Sequence, residues 1–194
     1  VLEAAELTEG VSSQRRKVFK DHLLPRQATG SEYVSSQTCR SCHPGQFSTW
    51  HRTFHRTMTQ AAGPDSVIPA HSGQFDGMKL ESRGRRYELS RRGDEFWARM
   101  VDPDWDRDRR ARGISDDSGT PPVVDRRIVM TTGSHHQQTY WVASRWGYEL
   151  LQFPWEFHIA EKMWFPTEDA ELREESDERY SGHWNSSCIH CHSV

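Results

Sequence analysis

Every cysteine of this 194-residue chain lies in one of two copies of a single pattern, Cys-x-x-Cys-His. The first copy is Cys39, Cys42 and His43 in "SQTCRSCHPGQF", and the second is Cys188, Cys191 and His192 in "WNSSCIHCHSV". About 145 residues lie between Cys42 and Cys188. Any fold must therefore accommodate two copies of the pattern from distant parts of the sequence, with no thiol left for another purpose.

The spacing is that of covalent haem c attachment. Two thiols three residues apart add to the two vinyl groups along one edge of a porphyrin, and the following His lies beneath the iron as proximal ligand. Four cysteines could instead surround one zinc ion. Zinc-binding pairs, however, are usually about 15–20 residues apart, and zinc does not need a His after each second Cys. A structural disulfide across a two-residue loop is strained, and a redox dithiol of this spacing would follow a thioredoxin-like strand, which is missing here. The sequence thus predicts two covalently bound haem c groups, attached through Cys39, Cys42, Cys188 and Cys191, with His43 and His192 as metal ligands.

Composition bears on the interior. Hydrophobic residues make up 34% of the chain, 27% is charged and the mean hydropathy is −0.88, so a core of side chains alone reads as thin. Eight Trp, eight Phe and five Tyr are too many aromatics for a disordered chain. Two apolar macrocycles would supply the missing core, and on this reading the protein folds poorly without them. The net charge of −3, with acidic and basic residues interspersed, gives no nucleic-acid footprint. No apolar run approaches the roughly 18 residues of a membrane span. Because haem c is attached after export, the expected location is periplasmic or extracellular, and a chain that opens at Val1 without a leader pattern reads as already processed.

Along the chain, residues 1–30 read as an N-terminal extension and 31–194 as one dihaem cytochrome c module. In that module 31–64 carries the first haem helix, 65–170 a β-rich insert and 171–194 the second haem motif. After the first motif, Phe47, Trp50, Phe54 and Met58 form a helical stripe that Gly63-Pro64 terminates. "GMKLESRGRRYELSRRGDEFWARMV" alternates as a strand meander. "DPDWDRDRRARGISDDSGTPP" reads as a charged, exposed loop, and three or four further strands follow from Arg126. The second motif is expected on a short helix starting near Asn185. The fold class that results is α+β and irregular, a haem-organised cytochrome with short helices carrying the motifs and a β-rich insert between them.

The remaining histidines decide the second axial position. His22, His158 and His183 read as surface or hydrogen-bonded residues, and His190, inside its motif, as packing beside a haem. His51 and His55 share one face of the expected helix, next to the aromatic stripe. On a continuous helix His55 would stand roughly 18 Å from His43, too far to serve the same iron, so it would cap the second haem. His136, with His135 as its alternative, enters a strand from the Gly133-Ser134 turn and would cap the first. Met58, Met78, Met100, Met130 and Met163 compete as ligands but read as core.

The segments "YVSSQTCRSCHPGQFSTWHRTFHRTM", "TTGSHHQQTYW" and "WNSSCIHCHSV" resemble those of bacterial multihaem c-type cytochromes, cytochrome c-554-like and often fused to tetratricopeptide repeats. The resemblance implies a ligand role for His55 rather than His51 and places "GSHH" near a haem. The function expected is single-electron transfer outside the cytoplasm, as a module or subunit of a larger complex or polymer. Its partners would be redox proteins or other cytochrome subunits, with no nucleic acid and no membrane span. The alternative is a haem enzyme with one five-coordinate iron acting on peroxide or nitrite, with His135, Arg126 or Tyr140 around it.

Overall fold

The structure, a computed structural model, describes residues 35–114, 119–145, 149–170 and 182–192. The N-terminal extension read at 1–30 and His22 lie outside these residues. Seven strands follow one another in sequence order, each antiparallel to the next: β2 (Lys79–Ser82), β3 (Arg85–Arg92), β4 (Glu95–Val101), β5 (Val123–Thr132), β6 (Gln137–Ala143), β7 (Leu150–His158) and β8 (Met163–Pro166). An eighth, β1 (Thr59–Ala61), pairs with β5 through Thr59↔Thr132 and Ala61↔Met130. The pairing of β4 with β5 ends at Phe96↔Ile128, so β1 occupies the stretch of that edge which β4 leaves free. Arg83 and Gly84, both at positive φ, make the two-residue reversal between β2 and β3, a left-handed pair whose twist suits a hairpin.

Alternate residues of these strands point to one side. Tyr87 and Leu89, Phe96, Ala98 and Met100, Tyr140 and Val142, and Leu151, Phe153, Trp155 and Phe157 are buried in a single cluster. β3 and β7 are four places apart in the sheet, about 19 Å if it were flat. Yet the ring of Tyr87 lies 5.7 Å from that of Phe153 and 6.0 Å from that of Trp155. The sheet is therefore rolled into a nearly closed, barrel-like form around these side chains. Its edge strands β2 and β8 are not paired with each other, but Arg83 and Glu168 form an ion pair across the gap at 3.3 Å.

This architecture corrects the expected fold class. Among the described residues the structure is mostly antiparallel sheet, and the helices are short: α1 (Pro44–His51), α2 (Ile68–His71), α3 (Pro103–Ala111), α4 (Thr167–Ala170) and α5 (Ile189–His192). An irregular α+β cytochrome organised by motif-bearing helices is not what forms. A rolled sheet needs only one apolar face, and the outer face, with Arg86, Glu88 and Arg99 exposed, depresses the mean hydropathy without thinning the core. Tyr140, Phe75, Phe96, Phe153 and Phe157 fill the interior, so the sheet has an apolar core of side chains. Among the described residues no helix is long and apolar enough to cross a membrane.

Two local readings also change. The charged stretch after Asp102 is not a loop throughout: Pro103 opens α3, and the Asp102 carboxylate accepts the Asp104 amide at 3.1 Å as an N-cap. Asp104, fully buried, accepts hydrogen bonds from Arg126 Nη2 (3.0 Å), Ser144 Oγ (2.6 Å) and the Arg145 amide (2.8 Å), which ties α3 to β5 and to the end of β6. The helix expected to run through Met58 stops at His51. Thr53 is extended, and Phe54–Thr57 forms a separate 3-10 turn. The 18 Å separation inferred from one continuous helix therefore does not hold.

Candidate functional site

The two Cys-x-x-Cys-His copies adopt the same closing turn. The His43 amide donates to the Cys39 carbonyl at 2.8 Å, and the His192 amide donates to the Cys188 carbonyl at 2.9 Å. In the first copy Cys39 sits in a 3-10 turn, Ser36–Ser41, and His43 is the N-cap residue of α1 with Pro44 as its first residue. In the second, a 3-10 turn at Trp184–Ser186 leads through Cys188 into α5, which carries Cys191 and His192. Cys39, Cys42 and Cys191 are exposed, Cys188 is half-buried, and none of the four is in a disulfide.

Packing on the outside of the sheet fixes the second copy. Trp184 covers Val129, Met130, Trp141 and Leu150, with Cys188 and Ile189 against the same cluster. This explains why β5 is buried continuously from Ile128 to Thr132: one side of it faces the interior and the other faces Trp184. Asn185 Oδ1 accepts the Leu150 amide at 3.0 Å, and His183 bridges to Leu151.

Three stretches distant in sequence meet at the β1 end of β5. The Gly133 amide donates to the Met58 carbonyl at 2.6 Å, and the Thr57 and Ser134 hydroxyls are 2.7 Å apart. The His135 ring stacks on Phe54, and Thr59 Oγ1 donates to the His192 carbonyl at 2.7 Å. The "GSHH" turn, the run that follows the first motif and the second motif are thus joined directly.

His55 is exposed on the Phe54–Thr57 turn, and His136 is exposed beside His135, its carbonyl accepting the Ile159 amide at 2.9 Å. His51 is engaged inside the first motif segment, its ring 3.9 Å from Phe47 and its Nε2 3.4 Å from Ser36 Oγ. Met100 and Met130 are buried in the two apolar clusters. His158 accepts the Glu161 amide, and His190 is exposed. The residues named for the enzyme alternative do not come together: Tyr140 is buried in the barrel and bonded to Gln138, Arg126 is held by Asp102 and Asp104, and His135 is exposed.

The donor set fits haem better than a bare ion. Among the described residues no three His, Cys, Asp or Glu side chains converge to hold a metal, so the four cysteines do not form a tetrahedral zinc cage. A haem needs no such convergence, because the porphyrin itself surrounds the iron and the thiols bond to its edge. The run from Ser36 to Thr57 has no buried residue although it carries Phe47, Trp50 and Phe54, and Phe54 is 53% exposed. Such a surface suits a flat apolar ligand. Among the described residues His192 Nδ1, which is buried, has no hydrogen-bond partner. Thr59 and Trp184, which hold the second motif, were not legible as functional from sequence; Trp184, an aromatic four residues before a Cys-x-x-Cys-His, was the available signal. Comparison of the chain with protein-family models, curated proteins and solved structures finds no match.

Proposed function

We propose that the chain is a dihaem c-type cytochrome that transfers single electrons outside the cytoplasm, as a module or subunit of a larger electron-transfer assembly. The observation that carries this reading is the repetition of one closed turn, His amide to first-Cys carbonyl, in two motifs that together use every cysteine. Cys39 and Cys42 would hold one haem and Cys188 and Cys191 the other, with His43 and His192 as proximal ligands. When bound, each haem supplies a one-electron iron couple.

The rest of the work belongs to the chain. Phe47, Trp50 and Phe54 screen one haem site from water, and the sheet fixes the second motif through Trp184. His55 and His136 are the further histidines that would help hold the haems; both are exposed where the three stretches meet. With two histidines holding each iron, no position would be left for a substrate, which suits conduction rather than catalysis. The motif segments' likeness to multihaem cytochromes points the same way.

The test is the pyridine haemochrome spectrum together with the intact mass of the purified protein. Two haems per chain are expected, lost in pairs of thioethers when Cys39 and Cys42, or Cys188 and Cys191, are replaced by Ala. A chain of unmodified mass, or one carrying zinc, overturns the proposal.

A further inference from the structure

Thr59 opens β1 and is the cross-strand partner of Thr132, so its backbone is fixed by the sheet. Its hydroxyl reaches the His192 carbonyl across 133 residues of sequence. That carbonyl ends α5, a single turn of four residues. The last carbonyls of a helix have no partner within it, and one turn does not persist on its own hydrogen bonds. The Thr59 hydroxyl supplies the partner from outside.

The other end of the second motif is held from the neighbouring position of the same ladder. Trp141 Nε1 donates to Thr132 Oγ1 at 2.8 Å, and the Trp141 ring packs edge-on against Trp184 at 5.3 Å. Thr132 and Thr59 therefore hold the entry and the exit of one motif. A metal-binding His is usually oriented by an acceptor on its second ring nitrogen. Among the described residues His192 Nδ1 has no such partner, although it is buried, and the hold they have on the ring runs through its backbone.

We infer that Thr59 is a positioning residue for the second haem site: its hydroxyl fixes the backbone of His192 and, through it, the plane of the imidazole. This rests on the dihaem reading above. Thr59 also follows His55 by four residues, so the same contact sets how the first motif's run meets the second motif.

The experiment compares the native holoprotein with Thr59→Val, Thr59→Ala and Thr59→Ser, by intact mass, electron paramagnetic resonance of the ferric protein and an optical redox titration. Val and Ala both remove the hydroxyl, one with and one without the β-branch. Both should keep two haems, shift or broaden one of two low-spin signals and move one midpoint potential while the other stays native. Ser should restore the native signals and midpoints. Native behaviour in Val and Ala, equal shifts at both haems, or failure of Ser to restore overturns the role of Thr59 and leaves the dihaem reading intact. A native protein without haem overturns both.

Discussion

The His135 ring lies against Phe54 with centroids 3.8 Å apart and planes 21° from parallel. Phe54 belongs to the run after the first Cys-x-x-Cys-His and His135 to the β5–β6 turn, so the stack joins the first motif to the sheet. It also gives His135 an aromatic contact on one side, and the ring of its neighbour His136 lies 4.2 Å away.

That turn depends on Gly133. Its φ is +93°, and a Cβ added there would lie 2.2 Å from the Gln137 carbonyl oxygen. Its own amide and carbonyl are engaged, by the Met58 carbonyl and by Gln138 Nε2 at 3.2 Å. Gly133→Ala should lower unfolding stability by at least the ~1–3 kcal/mol of a strained backbone and perturb one low-spin haem signal. Native thermal unfolding with unchanged spectra would contradict the rigid turn.

Trp184→Ala removes the lid over Val129, Trp141 and Leu150. Truncating a large buried aromatic costs about 3–5 kcal/mol, read from urea unfolding. Hydrogen exchange should quicken in 184–192 first, while the strands around Phe153 and Tyr140 keep their protection.

Asp104 is buried with Arg126, whose other contact is Asp102 at 2.7 Å. Asp104→Ala leaves Arg126 paired with Asp102 but removes the buried acceptor that Arg126, Ser144 Oγ and the Arg145 amide share, a loss of about 1–3 kcal/mol. Asp104→Ala should show this in chemical denaturation and detach α3, whereas haem content should stay native.

Among the described residues, Asp125 and Tyr140 have ionisations shifted in opposite senses. Arg92 Nη2 donates to Asp125 at 2.6 Å, and this hydrogen bond, chiefly, with the charges of Arg92 and Arg99, holds the carboxyl below its usual range. Stability from it is present above the unfolded value of about 3.9 and is lost as pH falls through the lowered folded value. Arg92→Gln should raise the Asp125 midpoint in a carboxyl NMR titration. Tyr140 behaves in the opposite sense: burial, with the negative charge of Glu156 adding, pushes its phenol well above 10. Its contribution is complete below about pH 10 and is lost as the pH rises further. Tyr140→Phe should flatten the alkaline limb of a stability profile.

The strand meander was legible because alternation such as Tyr87-x-Leu89 and Phe96-x-Ala98 is a local signal. The rolling of the sheet was not, since it depends on Tyr87 meeting Phe153 and Trp155, a contact with no local trace. α3 was signalled by Asp102-Pro103, an N-cap followed by a first-turn proline, but the run of charges behind it masked the helix. At the site, the motif cysteines and histidines identify themselves by spacing. Thr59 does not, because a hydroxyl that bonds a carbonyl 133 residues away looks like any other strand threonine.

The meander from β2 to β8 closes through hairpins between sequence neighbours, whereas β1 must find β5 across Thr59↔Thr132 and α5 must find β1 at Thr59. Closing long loops costs more entropy than closing short ones, and local contacts form faster. The pairing of β1 with β5 and the contact of α5 with Thr59 therefore carry a larger closure cost than the strand-to-strand turns of the meander. Three of the four motif cysteines are exposed outside the sheet, so a group bonded to them would not have to enter the core.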